Sequence, residues 1–181
     1  MLGSVVLAFS DYAAAKCTPG AAQVVRTKLA GINVMATTDY PDGVVIDVIG
    51  AVALHEKKSV SAVLEEFGRH FIEWTEPRFR MAYAVDSAKE FLLGICRLHQ
   101  TLVSTLPKGL QTGPPEFKYE SPADDKLVMA YNSPRRLCSF MVGLIQGVAD
   151  RFGESIAIQQ TECMLRGDKR CRFELQFRPR E

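Results

Sequence analysis

Tyr131-Asn132-Ser133-Pro134-Arg135 lies where an alternating apolar run gives way to a helical apolar stripe. In an extended backbone, side chains two residues apart point to the same side, so Tyr131, Ser133 and Arg135 would face one way. A phenol, a hydroxyl and a forked guanidinium together form a clamp for a carboxylate or a phosphate. A turn with a capping serine and a surface arginine has the same sequence, so the stretch alone leaves both interpretations open.

The chain before this clamp carries apolar residues at helical spacing. Helices are predicted over 2–15, 21–29, 44–54, 60–74 and 88–106. The 44–54 segment is apolar almost throughout, and its length and its alanines favour a buried helix over a strand. Ser59 or Ser61 is suited to cap the fourth helix, and Ser87 with Glu90 has the spacing of a capping box. Prolines and glycines over 107–115 predict a stiff connecting loop.

The hydrophobic period changes from 3.6 to 2 after this loop. Residues 116–121 and 126–131 predict one hairpin, and residues 156–163 and 170–177 predict a second one. A helical stripe over 137–152 separates the two hairpins. A helical first half followed by strand, strand, helix, strand and strand indicates an α+β fold with a four-stranded antiparallel sheet.

Length and composition place the chain among ordinary globular proteins. Its length of 181 residues suits one domain. The residues are 47% apolar and 24% charged, and the net charge is +1. The scattered cations do not form the basic face of a nucleic-acid-binding protein. We expect a cytoplasmic protein without a membrane anchor, because no apolar run is long enough to span a bilayer and no signal-peptide pattern is present. Five cysteines at uneven spacing argue against a secreted disulfide framework.

The three histidines differ in their sequence surroundings. His55 stands among charged residues and is expected to be solvated, whereas His70 falls at the core or boundary face of its helix. His99 lies within the apolar stripe of its own helix, where a buried imidazole must find a partner. A backbone carbonyl is one such partner and a metal ion is another. Read together with the clamp, the second possibility suits a flat, apolar, metal-centred ligand that is doubly anionic at one edge, and haem has these properties.

The combination of His99 with Tyr131, Ser133 and Arg135 resembles the family of haem–nitric oxide/oxygen-binding (H-NOX) domains, which is related to the haem sensor domain of soluble guanylate cyclase. The resemblance covers essentially the whole chain, through Met1-Leu2-Gly3, Tyr40-Pro41-Asp42, Phe67-Gly68-Arg69, Leu98-His99, Pro114-Pro115, and Phe140 with Gly143, Leu144, Ile145 and Gly147. It implies one domain over 1–181, with haem b between a distal helical subdomain of about residues 1–60 and a proximal mixed subdomain of about residues 61–181.

The resemblance also implies roles for individual residues. His99 would ligate the haem iron, the clamp residues would hold the propionates, and Pro115 would press on the porphyrin and distort it. The opposite side of the haem would be lined by six further residues, namely Val5, Phe9, Phe71, Trp74, Phe140 and Leu144.

Ligand choice follows from the residue at position 140. Family members that bind dioxygen stably resemble one another in carrying a distal tyrosine, and Phe140 stands at the matching position here. Bound dioxygen carries partial negative charge and needs a donor, whereas nitric oxide does not. We therefore expect a nitric oxide sensor that binds carbon monoxide more weakly and excludes dioxygen. The resemblance further implies a conformational switch rather than an enzyme, and a separate partner, which in similar bacterial proteins is a histidine kinase or a cyclic-di-nucleotide enzyme.

Three of the cysteines allow a second site. Cys163 and Cys171 lie symmetrically about Gly167 and can face each other across the last hairpin, while Cys138 opens the helix after the clamp. Part of the H-NOX family is similar in holding zinc with three such cysteines and a histidine, or in using them as a redox sensor. Gln160 takes the histidine's place here, and glutamine is a poor zinc ligand. Zinc held by three thiolates and buried thiols that can form a disulfide both remain open.

Cys17 and Cys96, the remaining cysteines, are expected in the core. Two other classes of function compete with the gas sensor. One is a haem-free small-molecule or interaction domain, and the other is a cysteine redox switch with the haem secondary. A haem enzyme is disfavoured because no acid–base pair is predicted near the pocket.

Overall fold

The computed structural model describes residues 1–105 and 115–179, apart from the side chains of residues 99, 100, 102–105 and 179. The elements in chain order are α1 (Gly3–Ala15), α2 (Pro19–Lys28), α3 (Asp42–Glu56), α4 (Val60–Thr75), α5 (Ala88–Thr105), β1 (Glu116–Ala123), β2 (Lys126–Asn132), α6 (Cys138–Phe152), β3 (Glu154–Glu162) and β4 (Cys171–Pro179). Short 3-10 helices cover Arg80–Tyr83 and Met164–Arg166. The end of the fifth predicted helix at Leu106 and the predicted loop before Pro115 lie outside the described residues. Among the described helices, none combines the length and the apolar character that a membrane crossing requires.

The helix starts follow the predicted caps. The Ser59 hydroxyl accepts a hydrogen bond from the backbone N–H of Ala62 at 3.1 Å, and the Ser87 hydroxyl accepts one from Glu90 at 3.1 Å. Each bond satisfies a backbone donor that has no partner within its helix. At the C-terminal end of α6, Gly153 takes the left-handed conformation and ends the helix directly before β3. The α+β prediction is confirmed.

The sheet has the order β1-β2-β4-β3, and every neighbouring pair is antiparallel. Alternate residues of the two central strands point to one buried face: Leu127, Met129 and Tyr131 on β2, and Cys171, Phe173, Leu175 and Phe177 on β4. These positions pair in register, with Tyr131 opposite Cys171. The end of the clamp strand therefore lies beside the start of the last strand.

Buried apolar side chains form two clusters. The first joins α1, α2, α3 and the N-terminal part of α4, and the second joins the sheet to α5, α6 and the C-terminal part of α4. Phe71 of α4 and Phe140 of α6 pack against both clusters. These two helices therefore form the boundary between the helical part of the chain and the part that contains the sheet.

Helices α4 and α6 cross with their backbones in direct contact. A Cβ placed on Gly143 would overlap the carbonyl oxygen of Glu65, and one placed on Gly68 would overlap the carbonyl oxygen of Phe140. A Cβ on Gly147 would come within 3.0 Å of the Arg69 Cα. Glycine is required at this crossing because a larger residue would push the two helices apart.

The crossing gives a stability test with a matched control. We expect Gly143→Ala to lower the free energy of unfolding by about 2–3 kcal/mol, because its new methyl group meets backbone that cannot rotate away. Gly50→Ala in α3 adds the same methyl group where no atom lies within 4 Å, and should gain up to about 1 kcal/mol from helix propensity. Urea unfolding of both variants measures the difference, and equal stabilities would contradict the close crossing.

Candidate functional site

The clamp residues come together at a turn rather than along a strand. Strand β2 ends at Asn132, so the expected extended backbone does not reach Arg135. Instead, the backbone N–H of Arg135 donates to the Ser133 hydroxyl at 3.3 Å, and that of Arg136 donates to the Ser133 carbonyl at 3.1 Å. Arg136 takes a positive φ of 51°, which lets the chain reverse into α6. The backbone of this segment is therefore the turn that the sequence allowed, and the role of its side chains as an anion clamp stays a prediction.

Tyr131 and Ser133 are buried, with 3% and 2% of their surfaces exposed. Burial raises the pKa of Tyr131 to about 12, although its hydrogen bond with Ser133 acts in the opposite direction. The phenol is therefore protonated at neutral pH and is able to donate a hydrogen bond to an anionic group.

Arg135 joins the clamp to the helical part of the chain. Its Nε donates to Oδ1 of Asp42, the first residue of α3, at 2.8 Å, and both side chains are largely buried. The N-terminal ammonium of Met1 lies 3.0 Å from the same carboxylate oxygen. Burial raises the pKa of Asp42, but the hydrogen bonds from Arg135 and the ammonium outweigh it, so this pKa lies below its usual range. Sequence reasoning gave Asp42 no role, since its partner lies 93 residues away.

The aromatic residues predicted around the ligand form one continuous cluster. Phe140 packs against Phe71 with ring centroids 5.4 Å apart, and Phe67 connects Phe140 to Phe9 through centroid distances of 5.1 Å each. Sequence reasoning omitted Phe67 from the site, although its place one helical turn before Phe71 could have indicated it. The other predicted lining residues, Val5 and Leu144, pack in the first and second apolar cluster respectively.

Two amphipathic side chains next to this aromatic cluster have contacts of their own. The Tyr12 ring contacts Phe9 and Phe67, but its hydroxyl donates to Glu66 at 2.7 Å. The Trp74 ring is stacked on Phe71 at a centroid distance of 6.4 Å, and the guanidinium of Arg78 lies 3.9 Å from the Trp74 ring centroid. The surroundings of Phe140 that the structure describes are therefore dominated by aromatic rings.

The remaining predicted haem contacts are only partly described. His99 lies in α5, one turn after the fully buried Cys96, but its side chain is outside the described residues. Pro115 is half-buried and directly precedes β1, a strand that packs against α5. The assignment of His99 as the iron ligand and of Pro115 as the residue that presses on the porphyrin stays a prediction.

The three predicted thiols do meet. The sulfur atoms of Cys138, Cys163 and Cys171 all lie within 4.8 Å of one another, and Cys171 Sγ is 2.8 Å from Cys138 Sγ. Burial raises the pKa of Cys138 and of Cys171, whereas at Cys163 the backbone N–H groups of Leu165 and Arg166 outweigh burial and lower it. Tetrahedral zinc with Zn–S bonds of about 2.3 Å needs sulfur atoms about 3.8 Å apart, so the Cys138–Cys171 distance of 2.8 Å would have to lengthen on binding, and one position would be left for another ligand.

Gln160, which takes the place of the expected fourth ligand, lies opposite Phe173 in the sheet. Its side-chain nitrogen is buried without a hydrogen-bond partner. An amide nitrogen is no zinc ligand, so any metal at this cluster depends on the three thiols.

The other histidines and cysteines have local roles. His70 is buried, as predicted for a residue on the core or boundary face of its helix, and its Nε2 lies 2.8 Å from Oδ2 of Asp11 on α1. His55 is exposed as predicted, although its ring contacts Thr18. Cys96 is buried as expected, but the prediction of a core position for Cys17 is only partly right, because this residue is half-buried where the chain leaves α1.

Comparisons with known proteins agree on one family. The family model described as Haem-NO-binding matches residues 3–160. A comparison with curated proteins gives no match. Among solved structures, an H-NOX protein from S. oneidensis in the Fe(II)NO ligation state is 21% identical, with a TM-score of 0.86 and coverage of 98% of this chain and 99% of that chain.

Two further solved structures show the same fold. A mutant H-NOX from T. Tengcongensis is 23% identical, with a TM-score of 0.85 and coverage of 99% of each chain. An oxygen binding H-NOX domain related to soluble guanylate cyclases is 24% identical, with a TM-score of 0.84 and coverage of 99% of this chain and 96% of that chain.

The Arg135–Asp42 pair predicts a particular dependence of stability on pH. We expect Asp42→Asn to lower the free energy of unfolding by about 1–3 kcal/mol at pH 7, because it removes a largely buried charge-assisted hydrogen bond. Because the folded-state pKa of Asp42 is depressed, this contribution is complete above its unfolded-state pKa of about 4 and is lost as the pH falls through the folded-state value.

Urea unfolding of the wild type and the variant between pH 7 and pH 3 tests this expectation. Asp124→Asn, at an exposed position in the β1–β2 turn, is the control and should change stability little at any pH. A stability difference between wild type and Asp42→Asn that stays constant over the whole pH range would contradict the assignment.

Proposed function

Because the chain belongs to the haem-NO-binding (H-NOX) family, we propose that it senses nitric oxide at ferrous haem b ligated by His99. The observation that carries the proposal is that one turn holds the buried side chains of Tyr131 and Ser133 together with the largely buried side chain of Arg135. This donor set has the chemistry that two propionates require, namely two hydroxyl donors and one permanent cation.

Each residue of the proposed site has one task. The His99 imidazole holds the iron, and Tyr131 and Ser133 donate hydrogen bonds to the propionates while Arg135 supplies positive charge. Pro115 presses on the porphyrin from the start of β1. Haem, when bound, would supply the ferrous iron that takes up the gas, and His99 is the residue that would hold this iron.

The proposed selectivity rests on the surroundings of Phe140. Its described ring contacts are Phe67 and Phe71, and the nearby phenol of Tyr12 donates to Glu66 instead. A site lined by such rings offers no hydroxyl to the partial negative charge of bound dioxygen. We infer binding of nitric oxide, weaker binding of carbon monoxide and exclusion of dioxygen.

The proposed signal is a change in packing without catalysis. A loosened hold on His99 would leave α5 free to move, and the distal subdomain of about residues 1–60 would then shift against residues 61–181. The Arg135–Asp42 ion pair crosses this boundary and is expected to influence the shift. A separate protein, either a histidine kinase or a cyclic-di-nucleotide enzyme, receives the signal.

Absorption spectra of the reduced protein test the selectivity. We expect no stable oxy complex in air and a rapid spectral change with nitric oxide. Phe140→Tyr adds one hydroxyl to the ring cluster and should allow an oxy complex that persists for minutes, because one hydrogen bond to a charged group contributes about 1.5–3 kcal/mol. A persistent oxy spectrum of the wild type would contradict the proposal.

A variant of the histidine is the matched test of the ligand assignment. His99→Ala should lose haem on purification or bind it only with added imidazole, whereas His55→Ala, at an exposed position, should keep the wild-type spectrum. An unchanged haem content and spectrum of His99→Ala would overturn the assignment of the iron ligand.

The thiol cluster supports a second site. We propose that Cys138, Cys163 and Cys171 bind one zinc ion, since their buried sulfur atoms lie within 4.8 Å of one another. Three thiolates without a fourth protein ligand would hold zinc more weakly than a complete set. Such a site would tie the start of α6 to the β3–β4 hairpin.

Metal analysis of protein purified without added zinc tests this site. We expect up to one zinc ion per chain, which a chelator removes readily because one ligand position is not filled by the protein. Cys163→Ser should abolish zinc binding, and Cys96→Ser, which replaces a buried cysteine on α5, should not. Metal-free protein with these thiols free or joined in a disulfide would contradict the zinc site.

A further inference from the structure

A groove that the gas site does not use lies on the outer side of α1. It has a volume of about 270 Å³ and is formed by α1, α2 and the segment that follows α2. Six of its lining residues are apolar: Ala14, Ala22, Val25, Leu29, Ile32 and Val34. Ser10 and Arg26 are the polar residues that line it. Ile32 and the neighbouring Met35 leave 38% and 58% of their surfaces exposed, so the apolar surface continues beyond the groove.

The charges that α2 brings to this groove are positive. No aspartate or glutamate occurs between Asp11 and Asp39, while this stretch contains Lys16, Arg26 and Lys28. Lys16 is paired with Glu73 of α4 at 2.9 Å. Arg26 and Lys28 are exposed in the last turn of α2, where no described carboxylate lies within ion-pair distance of either one. The α2 side of the groove's rim is therefore positively charged.

An acidic amphipathic helix complements both features. An apolar groove accepts the apolar stripe of an amphipathic helix, whose anchors recur at i, i+3, i+4 and i+7. A positive rim favours acidic residues beside that stripe and repels basic ones. We propose that this groove is the docking site of an acidic amphipathic helix that belongs to the signalling partner.

The position of α1 connects this surface to the gas site. Phe9 of α1 faces the aromatic cluster through its contact with Phe67, whereas Ser10 and Ala14 of the same helix line the groove. One helix is thus the common wall of the two sites. On the proposed gas-sensing function, a shift of α1 would change the width of the groove, and the affinity for the partner helix would differ between the ferrous and the nitric oxide-bound protein.

Binding of designed peptides to the haem-loaded protein tests the docking site. The probe is a fluorescent helical peptide of about 18 residues, long enough for five helical turns, with leucine at the anchor positions and glutamate beside them. A second peptide carries lysine in place of each glutamate. We expect the acidic peptide to bind with an affinity that falls as salt is added, and the basic peptide to bind at least about tenfold more weakly.

Two variants and one control show where on the protein the peptide binds. The double variant Arg26→Glu with Lys28→Glu should lower the affinity for the acidic peptide at least about tenfold, because attraction becomes repulsion at two rim positions. Lys118→Glu with Lys169→Glu changes the net charge equally at exposed positions outside α1 and α2, and should leave binding within about twofold. Ala22→Phe fills the groove and should also abolish binding, without a change of charge.

Three outcomes would overturn the docking site. The acidic peptide does not bind, both peptides bind equally well, or the two charge-reversed double variants lose the same affinity for the acidic peptide. Binding to anionic vesicles but not to the peptide would also overturn it, in favour of a lipid surface. The haem and nitric oxide spectra should be the same for all groove variants. If haem is not bound, the gas-sensing proposal fails while peptide binding still decides the docking site. If peptide affinity does not depend on nitric oxide, only the link between the two sites fails.

Discussion

The contact of backbone against backbone between α4 and α6 fixes most of this structure. Gly68 and Gly143 allow an approach that any side chain would prevent, so the two helices hold one relative position. Because α4 gives Phe67 to one apolar cluster and Ile72 to the other, this crossing also sets the distance between the clusters. The clamp turn leads directly into α6, so Tyr131, Ser133 and Arg135 are placed relative to the aromatic rings by the same contact.

Two side chains of the clamp already have hydrogen-bond partners within the protein. Ser133 accepts from the backbone of Arg135, and Arg135 donates to Asp42 on another helix. A buried guanidinium without a carboxylate partner would be strongly destabilising, so Asp42 keeps the folded protein stable when no anionic ligand is present. An incoming carboxylate must compete with Asp42 for Arg135 or share it. This competition is a direct physical link between anion binding and the position of α3.

Local sequence patterns predicted the helices and the strands, but they did not predict contacts between residues that are distant in sequence. The caps at Ser59 and Ser87 and the alternation along β4 are visible within a few residues, so the sequence was sufficient to predict the helices and the hairpins. The pairing of Arg135 with Asp42 joins positions 93 residues apart and has no periodic signal. Likewise, the sequence predicted three cysteines able to meet, but not that Gln160 would be buried without a partner for its amide nitrogen. The sequence left a turn and an extended backbone both open at the clamp, because alternation cannot reveal where a strand ends; β2 ends at Asn132 and a turn follows.

The contacts of α1 indicate which neighbouring helix would repack if α1 shifted. Two adjacent side chains of α1 form hydrogen bonds with residues one turn apart on α4. Tyr12 donates to Glu66, and Asp11 pairs with His70. Among the described residues, no hydrogen bond or ion pair joins α1 to α2, and apolar contacts hold them together around the groove. Apolar contacts have no fixed direction, so α2 can slide against α1 at lower cost than α4 can. A coupling of about 1.4 kcal/mol between gas and partner would change partner affinity tenfold, and a small repacking at this softer interface is enough to supply it.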